Sequence, residues 1–291
     1  MLKGPILLSL DGSEISEGVI PFVRQLAKGF GVKVAAFHVA GEEGVPVGKI
    51  VRTPSGKEMS TDAYLQSMLQ EITRGGIGAD SATAKGKPAA EIVKYAESKG
   101  CGLIAMATHG RSGLGRWVYG STTDRVLHTT SLPMLLVRPP QDGRIKEEAF
   151  RTLVIPLDGS ELGERAIPQA ETLAKSLSLS VTLVRIVPTA TIAAGSMEPY
   201  AADPRLLEYS VDAAKQYIDE KVQALTKKGL RVSSKVNLGY APSEIIDIAE
   251  GLPGSLVVMT THGRSGMGRW VLGSVADRVL RASNRPVLLF R

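Results

Sequence analysis

Short, nearly continuous apolar runs alternate along the chain with stretches in which apolar residues recur every three or four positions. Pro5-Ile6-Leu7-Leu8-Ser9-Leu10 is the first run. Its lack of polar alternation predicts a strand covered on both faces, as in a parallel sheet. Asp11-Gly12-Ser13-Glu14 breaks it. Ile15, Val19, Ile20, Phe22, Val23 and Leu26 then share one broad face and predict a helix stopped near Gly29. Val32 to Val39 reads as a second strand. Gly41 to Met59, rich in glycine, proline and charge, reads as a long excursion. A helix from about Thr61 to Arg74, a weak strand from Ala79 to Lys85 and a helix from Pro88 to Lys99 follow, with Pro88 suited to a first turn. Leu103 to Ala107 is a fourth strand, Ser121 to about Thr130 a helix, and Pro133 to Val137 a fifth strand.

The order then restarts. Pro139 to Arg151, with two prolines, a glycine and mixed charge, reads as a linker between a domain over residues 1–140 and one over 150–291. Leu153 to Leu157 is again a first strand, followed by Asp158-Gly159-Ser160-Glu161. A helix over Leu162 to Leu177, a strand over Val181 to Val187, an excursion from Pro188 to Pro204 and a long helix from Leu206 to Lys228 come next. Val232 to Asn237, Pro242 to Glu250 and Leu256 to Met259 complete the pattern, which ends in Pro286-Val287-Leu288-Leu289-Phe290. Alternating strands and helices predict right-handed crossovers, so each half is expected to be an α/β, doubly wound, parallel-sheet domain.

The clearest sign of duplication is Thr108 to Ser121, which returns almost letter for letter as Thr261 to Ser274. Only Leu114, replaced by Met267, and Tyr119, replaced by Leu272, differ. The copies lie 153 residues apart, from Gly110 to Gly263. That is a domain-sized period, far beyond the roughly 20–50 residues of a solenoid repeat.

Composition narrows the chemistry. With 43% hydrophobic and 22% charged residues in 291, two packed cores are expected and disorder is not. A net charge of +6 suits an anionic ligand. The lysines and arginines are scattered and aromatics are only 5%, which argues against a nucleic-acid surface. The single cysteine, Cys101, excludes an intrachain disulfide. No apolar run reaches the roughly 20 residues of a membrane span. The chain enters a strand almost at once, without a signal-peptide pattern, so a cytoplasmic location is the expectation.

In doubly wound sheets, ligands bind beyond the carboxyl ends of the strands where strand order reverses. Asp11 and Asp158 follow each first strand, and the repeated loop follows each fourth. Gly110, Gly113 and Gly115, like Gly263, Gly266 and Gly268, would let backbone N–H groups approach an anion closely. Gly120-Ser121 and Gly273-Ser274 open a helix, whose free N–H groups favour phosphate. Ser121 with Asp124, and Ser274 with Asp277, match a capping-box spacing. Arg111 and Arg264 can add charge-assisted bonds. The bland alternatives are a tight turn for the glycines and helix capping for Asp11 and Asp158.

These residues resemble the universal stress protein family in its tandem, two-domain, ATP-binding form. The family signature is glycine, two residues, glycine, nine residues, glycine, then serine or threonine. Gly110 with Gly120-Ser121 and Gly263 with Gly273-Ser274 match its later part. The first glycine is Ala107 in one half and Thr260 in the other, which leaves open whether one half or both hold nucleotide. The resemblance implies five-stranded sheets in the order 3-2-1-4-5, of the adenine-nucleotide α-hydrolase type. It implies ATP, ADP or AMP, with Mg, as the ligand. It also implies an internal pseudo-dimer through the fifth strands and a homodimer of chains. In the first half it assigns binding to Ser9, Asp11, Val39, Met106, Gly110, Arg111, Ser112, Gly113, Gly120, Ser121 and Thr122. In the second it assigns Pro156, Asp158, Ile186, Met259, Gly263, Arg264, Ser265, Gly266, Gly273, Ser274 and Val275. Asp11 and Asp158 would face adenine, Val39 and Ile186 border the base, and the glycine loops run along ribose and phosphates.

Other chemistries fit less well. Gly110-Arg111-Ser112-Gly113-Leu114-Gly115 is not the dinucleotide pattern and follows the fourth strand, not the first. His109 and His262 precede the loop glycines without a triad signature around Ser112 or Ser265. Trp117 and Trp270 lie among apolar positions. No metal cluster or Walker lysine pattern stands out. A nucleotide-dependent regulator of the stress response is the main expectation, and a stress scaffold or chaperone-like protein with vestigial loops is the alternative. As an enzyme the chain is expected to be at most a slow ATPase.

Overall fold

The structure is a computed structural model that describes residues 3–40, 51–52, 58–108, 120–138, 149–189, 204–261 and 272–291. The chain forms two compact units. The first comprises Met1–Ala149 with Pro286–Arg291, and the second Phe150–Arg285.

In the first unit β1 (Ile6–Ser9) leads through α1 (Glu14–Glu17) and α2 (Ile20–Phe30) to β2 (Val34–Ala40). A two-residue ribbon, β3 (Val51–Arg52) with β4 (Glu58–Met59), precedes α3 (Thr61–Ile72). Then come β5 (Ala79–Lys85), α4 (Pro88–Ser98), β6 (Leu103–Ala107), α5 (Ser121–Thr129) and β7 (Met134–Val137). The five main strands are parallel, in the order β5-β2-β1-β6-β7, which is 3-2-1-4-5. Ile6 pairs with Val34 on one side and Leu103 on the other, so β1 and β6 flank the switch point. The chain's last strand runs antiparallel to β7, with Leu288 opposite Leu135.

The second unit repeats the plan. Its elements are β8 (Thr152–Pro156), α6 (Glu161–Glu164), α7 (Ala166–Leu177), β9 (Ser180–Val187), α8 (Pro204–Thr226) and β10 (Val232–Leu238). α9 (Ala241–Glu250), β11 (Ser255–Thr260) and α10 (Ser274–Ala282) follow, while β12 (Val287–Phe290), the strand that joins β7, belongs to the first unit. β10, β9, β8 and β11 are parallel in that order.

Burial explains the sequence pattern. Ile6, Leu7 and Leu8, like Leu153, Val154 and Ile155, are fully buried in central strands, hence the unbroken apolar runs. β5 and β10 end the strand orders of their units and are half-exposed, hence their weak patterns.

The single helix expected after each first strand is two helices. α1 stops at Glu17 and α6 at Glu164. Pro21 and Pro168 each stand four residues later. A proline lacks the N–H that would bond that carbonyl, and its ring clashes with it. Nor does α2 stop at Gly29. It runs to Phe30 and closes at Gly31, whose φ is 64°. The Val32 N–H then donates to the Ala27 carbonyl at 3.0 Å, a Schellman closure. In the second unit the same closure, Leu179 N–H to Ala174 carbonyl at 3.0 Å, forces Ser178 to φ 55°. A non-glycine residue is disfavoured there. Ser178→Gly is therefore expected to stabilise the second unit by about 1 kcal/mol, read as a higher urea midpoint. An unchanged or lower midpoint would contradict the assignment.

Candidate functional site

Each candidate site starts where the first strand runs out. Gly12 and Gly159 both take φ 81°, in the left-handed region, and turn the chain sharply after Asp11 and Asp158. Ser13 and Ser160 thereby become the N-caps of α1 and α6. The Ser160 Oγ accepts from the Gly163 N–H at 3.0 Å, and the Ser13 Oγ from the Ser16 N–H at 3.2 Å. The aspartates therefore do not cap the helices themselves. Asp158 Oδ1 accepts from the Ser160 N–H at 3.0 Å and from its hydroxyl at 2.6 Å. Asp11 Oδ1 accepts from the Ser13 N–H at 3.0 Å and its hydroxyl at 2.5 Å. Both carboxylates are held in one orientation at the carboxyl end of the first strand.

Opposite them, the two ends of each repeated loop are pinned together. The Gly120 N–H donates to the Thr108 carbonyl at 2.8 Å, and the Gly273 N–H to the Thr261 carbonyl at 2.6 Å. In the first unit the buried Thr123 hydroxyl adds a bond to the Ala107 carbonyl at 2.9 Å. Residues 109–119 and 262–271 lie outside the described residues. That holds for Gly110, Arg111, Ser112 and Gly113 and for Gly263, Arg264, Ser265 and Gly266, and also for both histidines and tryptophans of the loops.

The helix starts differ from the capping-box expectation. Gly120 and Gly273 are the N-caps of α5 and α10, with no side-chain cap hydrogen bond, and Ser121 and Ser274 are the first helical residues. A glycine cap has no side chain with which to satisfy the first-turn N–H groups. Those groups carry the positive end of a nine-residue helix.

In the second unit these parts enclose a cavity of about 320 Å³. Pro156, Leu157 and Asp158 supply its first-strand side, Ile186 and Arg185 its second-strand side, and Met259, Thr260 and Thr261 the end of β11. Ala241 and Ile245 of α9, with Gly273, Ser274 and Val275 at the start of α10, complete it. Every described residue of the second expected set thus borders one space. The first unit has the same layout. Asp11 is half-buried just beyond β1, whose last residue is Ser9, Val39 lies on β2, and Met106 is buried in β6. Gly120, Ser121 and Thr122 open α5.

Sequence reasoning missed a charged cluster beside each aspartate. Glu164 accepts from the Tyr217 hydroxyl at 2.9 Å and from Lys221 Nζ at 2.7 Å. The Lys221 contact holds the Glu164 carboxyl below its usual range. Arg185 lies over the Tyr217 ring, 5.7 Å from its centroid. In the first unit the matching residues are Glu17 and the fully buried Tyr64. With Met68 where the second unit has Lys221, burial raises the Glu17 carboxyl, and Glu71, Glu14 and Asp11 add to the rise while Tyr64 opposes it. The overlooked signal was equal spacing, since Glu17 and Glu164 each follow their aspartate by six residues.

Comparison with known proteins agrees with the fold. A sequence profile of the universal stress protein family matches residues 4–138 and again residues 149–291. A universal stress protein of Mycolicibacterium smegmatis is 22% identical over 298 residues, covering 98% of this chain and 96% of its own. One from Methanocaldococcus jannaschii is 29% identical over 153 residues, covering 50% of this chain and 84% of its own. Among solved structures, a universal stress protein from Archaeoglobus fulgidus has the same fold, with a TM-score of 0.66 at 20% identity over 99% of this chain and 98% of that one.

Proposed function

The chain belongs to the universal stress protein family in its two-domain form, and on that premise we propose that it is a nucleotide-dependent regulator of the stress response that holds ATP beyond its first and fourth strands. The observation that carries this reading is the second-unit cavity, which joins a fixed carboxylate, an apolar slot and a helix start with no side-chain cap. Its volume lies at the lower end of the roughly 300–1,000 Å³ of small-molecule sites. Ile186, Ile245 and Met259 offer the apolar faces a purine ring needs. Asp158, an acceptor, suits the exocyclic amine of adenine. The first-turn N–H groups of α10 suit phosphate, and Mg would add charge neutralisation there.

The reading is of a binding protein that changes partners or shape with occupancy, not of an efficient hydrolase. Among the described lining residues Asp158 is the only carboxylate, and Ser160 already occupies its Oδ1. Thr260, which borders the cavity where the family has glycine, favours the second reading, a scaffold whose second loop is vestigial. A thermal-shift titration with Mg-ATP separates the two. At a hundredfold excess over Kd, bound ATP stabilises by about 2.7 kcal/mol, a clear rise in Tm. Gly273→Val, which puts a branched side chain over the helix start, is expected to remove the second unit's share of that rise. Wild-type protein whose Tm does not move at millimolar Mg-ATP would favour the scaffold.

A further inference from the structure

The carbonyl immediately before each aspartate has an unusual partner. In the second unit Arg185 Nη1 donates to the Leu157 carbonyl at 3.1 Å. In the first unit His38 Nδ1 lies 2.8 Å from the Leu10 carbonyl. A carbonyl can only accept, so Nδ1 carries the proton. Both bonds span 28 residues. The two donors occupy the same place, on the second strand just before Val39 and Ile186. The halves have diverged from histidine to arginine while keeping the bond, so the constraint lies on the carbonyl rather than on the donor.

The reason is local. Leu10 and Leu157 still donate their N–H groups to β2 and β9, at 2.9 and 2.8 Å to Phe37 and Val184. Beyond them the chain leaves the sheet, so ladder geometry no longer fixes the peptide that leads into the aspartate. A side-chain donor from the neighbouring strand fixes it instead. Asp158 is then held at both ends, its preceding peptide by Arg185 and its carboxylate by Ser160. Arg185 is itself braced over Tyr217, which Glu164 holds.

We propose that Arg185, and His38 in the other half, are positioning residues for the base-facing aspartate: they orient the strand-end peptide so that Asp158 and Asp11 meet the ligand without reorganising. The proposal rests on the nucleotide reading above and concerns how that site is preorganised. A donor that acts only through Asp158 makes a specific prediction for a double-mutant cycle. Arg185→Leu is expected to weaken ATP binding to one site per chain about tenfold, and Asp158→Ala by at least as much. The double variant should lie within about twofold of Asp158→Ala alone, because the coupled contributions do not add. Arg185→His, which installs the first half's donor, should bind within about threefold of wild type.

Calorimetric titration with Mg-ATP, with Tm as a folding check, reads wild type and the four variants. Additive losses in the double variant would overturn the proposal, as would Arg185→Leu binding like wild type or Arg185→His failing like Arg185→Leu. If wild-type protein binds ATP and the cycle is additive, only the positioning role falls. If wild-type protein binds no ATP, both it and the nucleotide reading fall.

Discussion

Gly163→Val is expected to eliminate ATP binding in the second unit and to lower that unit's stability by about 2–3 kcal/mol. Gly163 is buried in α6 and borders the cavity. A Cβ there would sit 2.6 Å from Asp158 Oδ1 and 3.3 Å from Ser160 Oγ. The end of a mobile side chain would move aside cheaply, but this carboxylate oxygen is held by two hydrogen bonds from Ser160. Valine adds to that Cβ two methyl groups that cannot hydrogen-bond, packed against the held carboxylate, which unpairs polar groups and turns the aspartate from the orientation in which the proposed function has it meet the ligand. The first unit has Ser16 at the same place, with its Oγ bonded to the Asp11 N–H at 3.3 Å and the Ser13 carbonyl at 2.9 Å. Gly163→Ser is therefore expected to be much milder than valine. Titration of both variants with Mg-ATP, alongside urea unfolding, checks the order; valine and serine behaving alike would contradict it.

The second large effect is opposite pH behaviour in the two halves. Burial raises the Glu17 carboxyl above its ordinary value of 4.5, so the folded first unit holds that proton more tightly than the unfolded chain does. The resulting stability is fully present below about pH 4.5 and is lost as pH rises through the folded value. Glu164 is shifted the other way, by Lys221 first and Tyr217 next. Its contribution is present above about pH 4.5 and is lost as pH falls through the folded value. Glu17→Gln is thus expected to stabilise the first unit at pH 7.5, read as a rise in Tm kept small by solvent screening of this half-buried group, and to do little at pH 4. Glu164→Gln should destabilise the second unit at pH 7.5, and by progressively less as pH falls below about 4.5. Met68→Lys, which copies Lys221, should remove the benefit of Glu17→Gln. Melting curves at both pH values decide it, and a Tm loss for Glu17→Gln at pH 7.5 would contradict the account.

Much of the fold was legible because central strands buried on both faces leave unbroken apolar runs, as at Ile6–Leu8 and Leu153–Ile155. Proline and glycine were harder to interpret. Pro21 and Pro168 divide a helix that apolar periodicity alone makes continuous, and Gly29 is passed over because the left-handed closure falls at Gly31. At the helix starts, serine and aspartate spacing pointed to a capping box, yet the backbone places glycine at the cap and serine inside the helix. In the second half the site's outline was legible through Asp158, Ile186, Met259 and Gly273-Ser274, which the structure gathers around one cavity. The supporting contacts were not. Arg185 on β9 is far in sequence from Tyr217 and Lys221, which share α8, and only the fold brings the β9 strand against α8 and the end of β8. Equal offsets in the two halves, His38 with Arg185 and Glu17 with Glu164, were the available clue.

The most direct test of the central claim is nucleotide content and stoichiometry. Purified protein is denatured, released nucleotide is identified by chromatography, and stripped protein is titrated with Mg-ATP. The account predicts a bound adenine nucleotide at one or two per chain, with the second-unit share lost in Gly163→Val. No released nucleotide and no binding at millimolar Mg-ATP would contradict it.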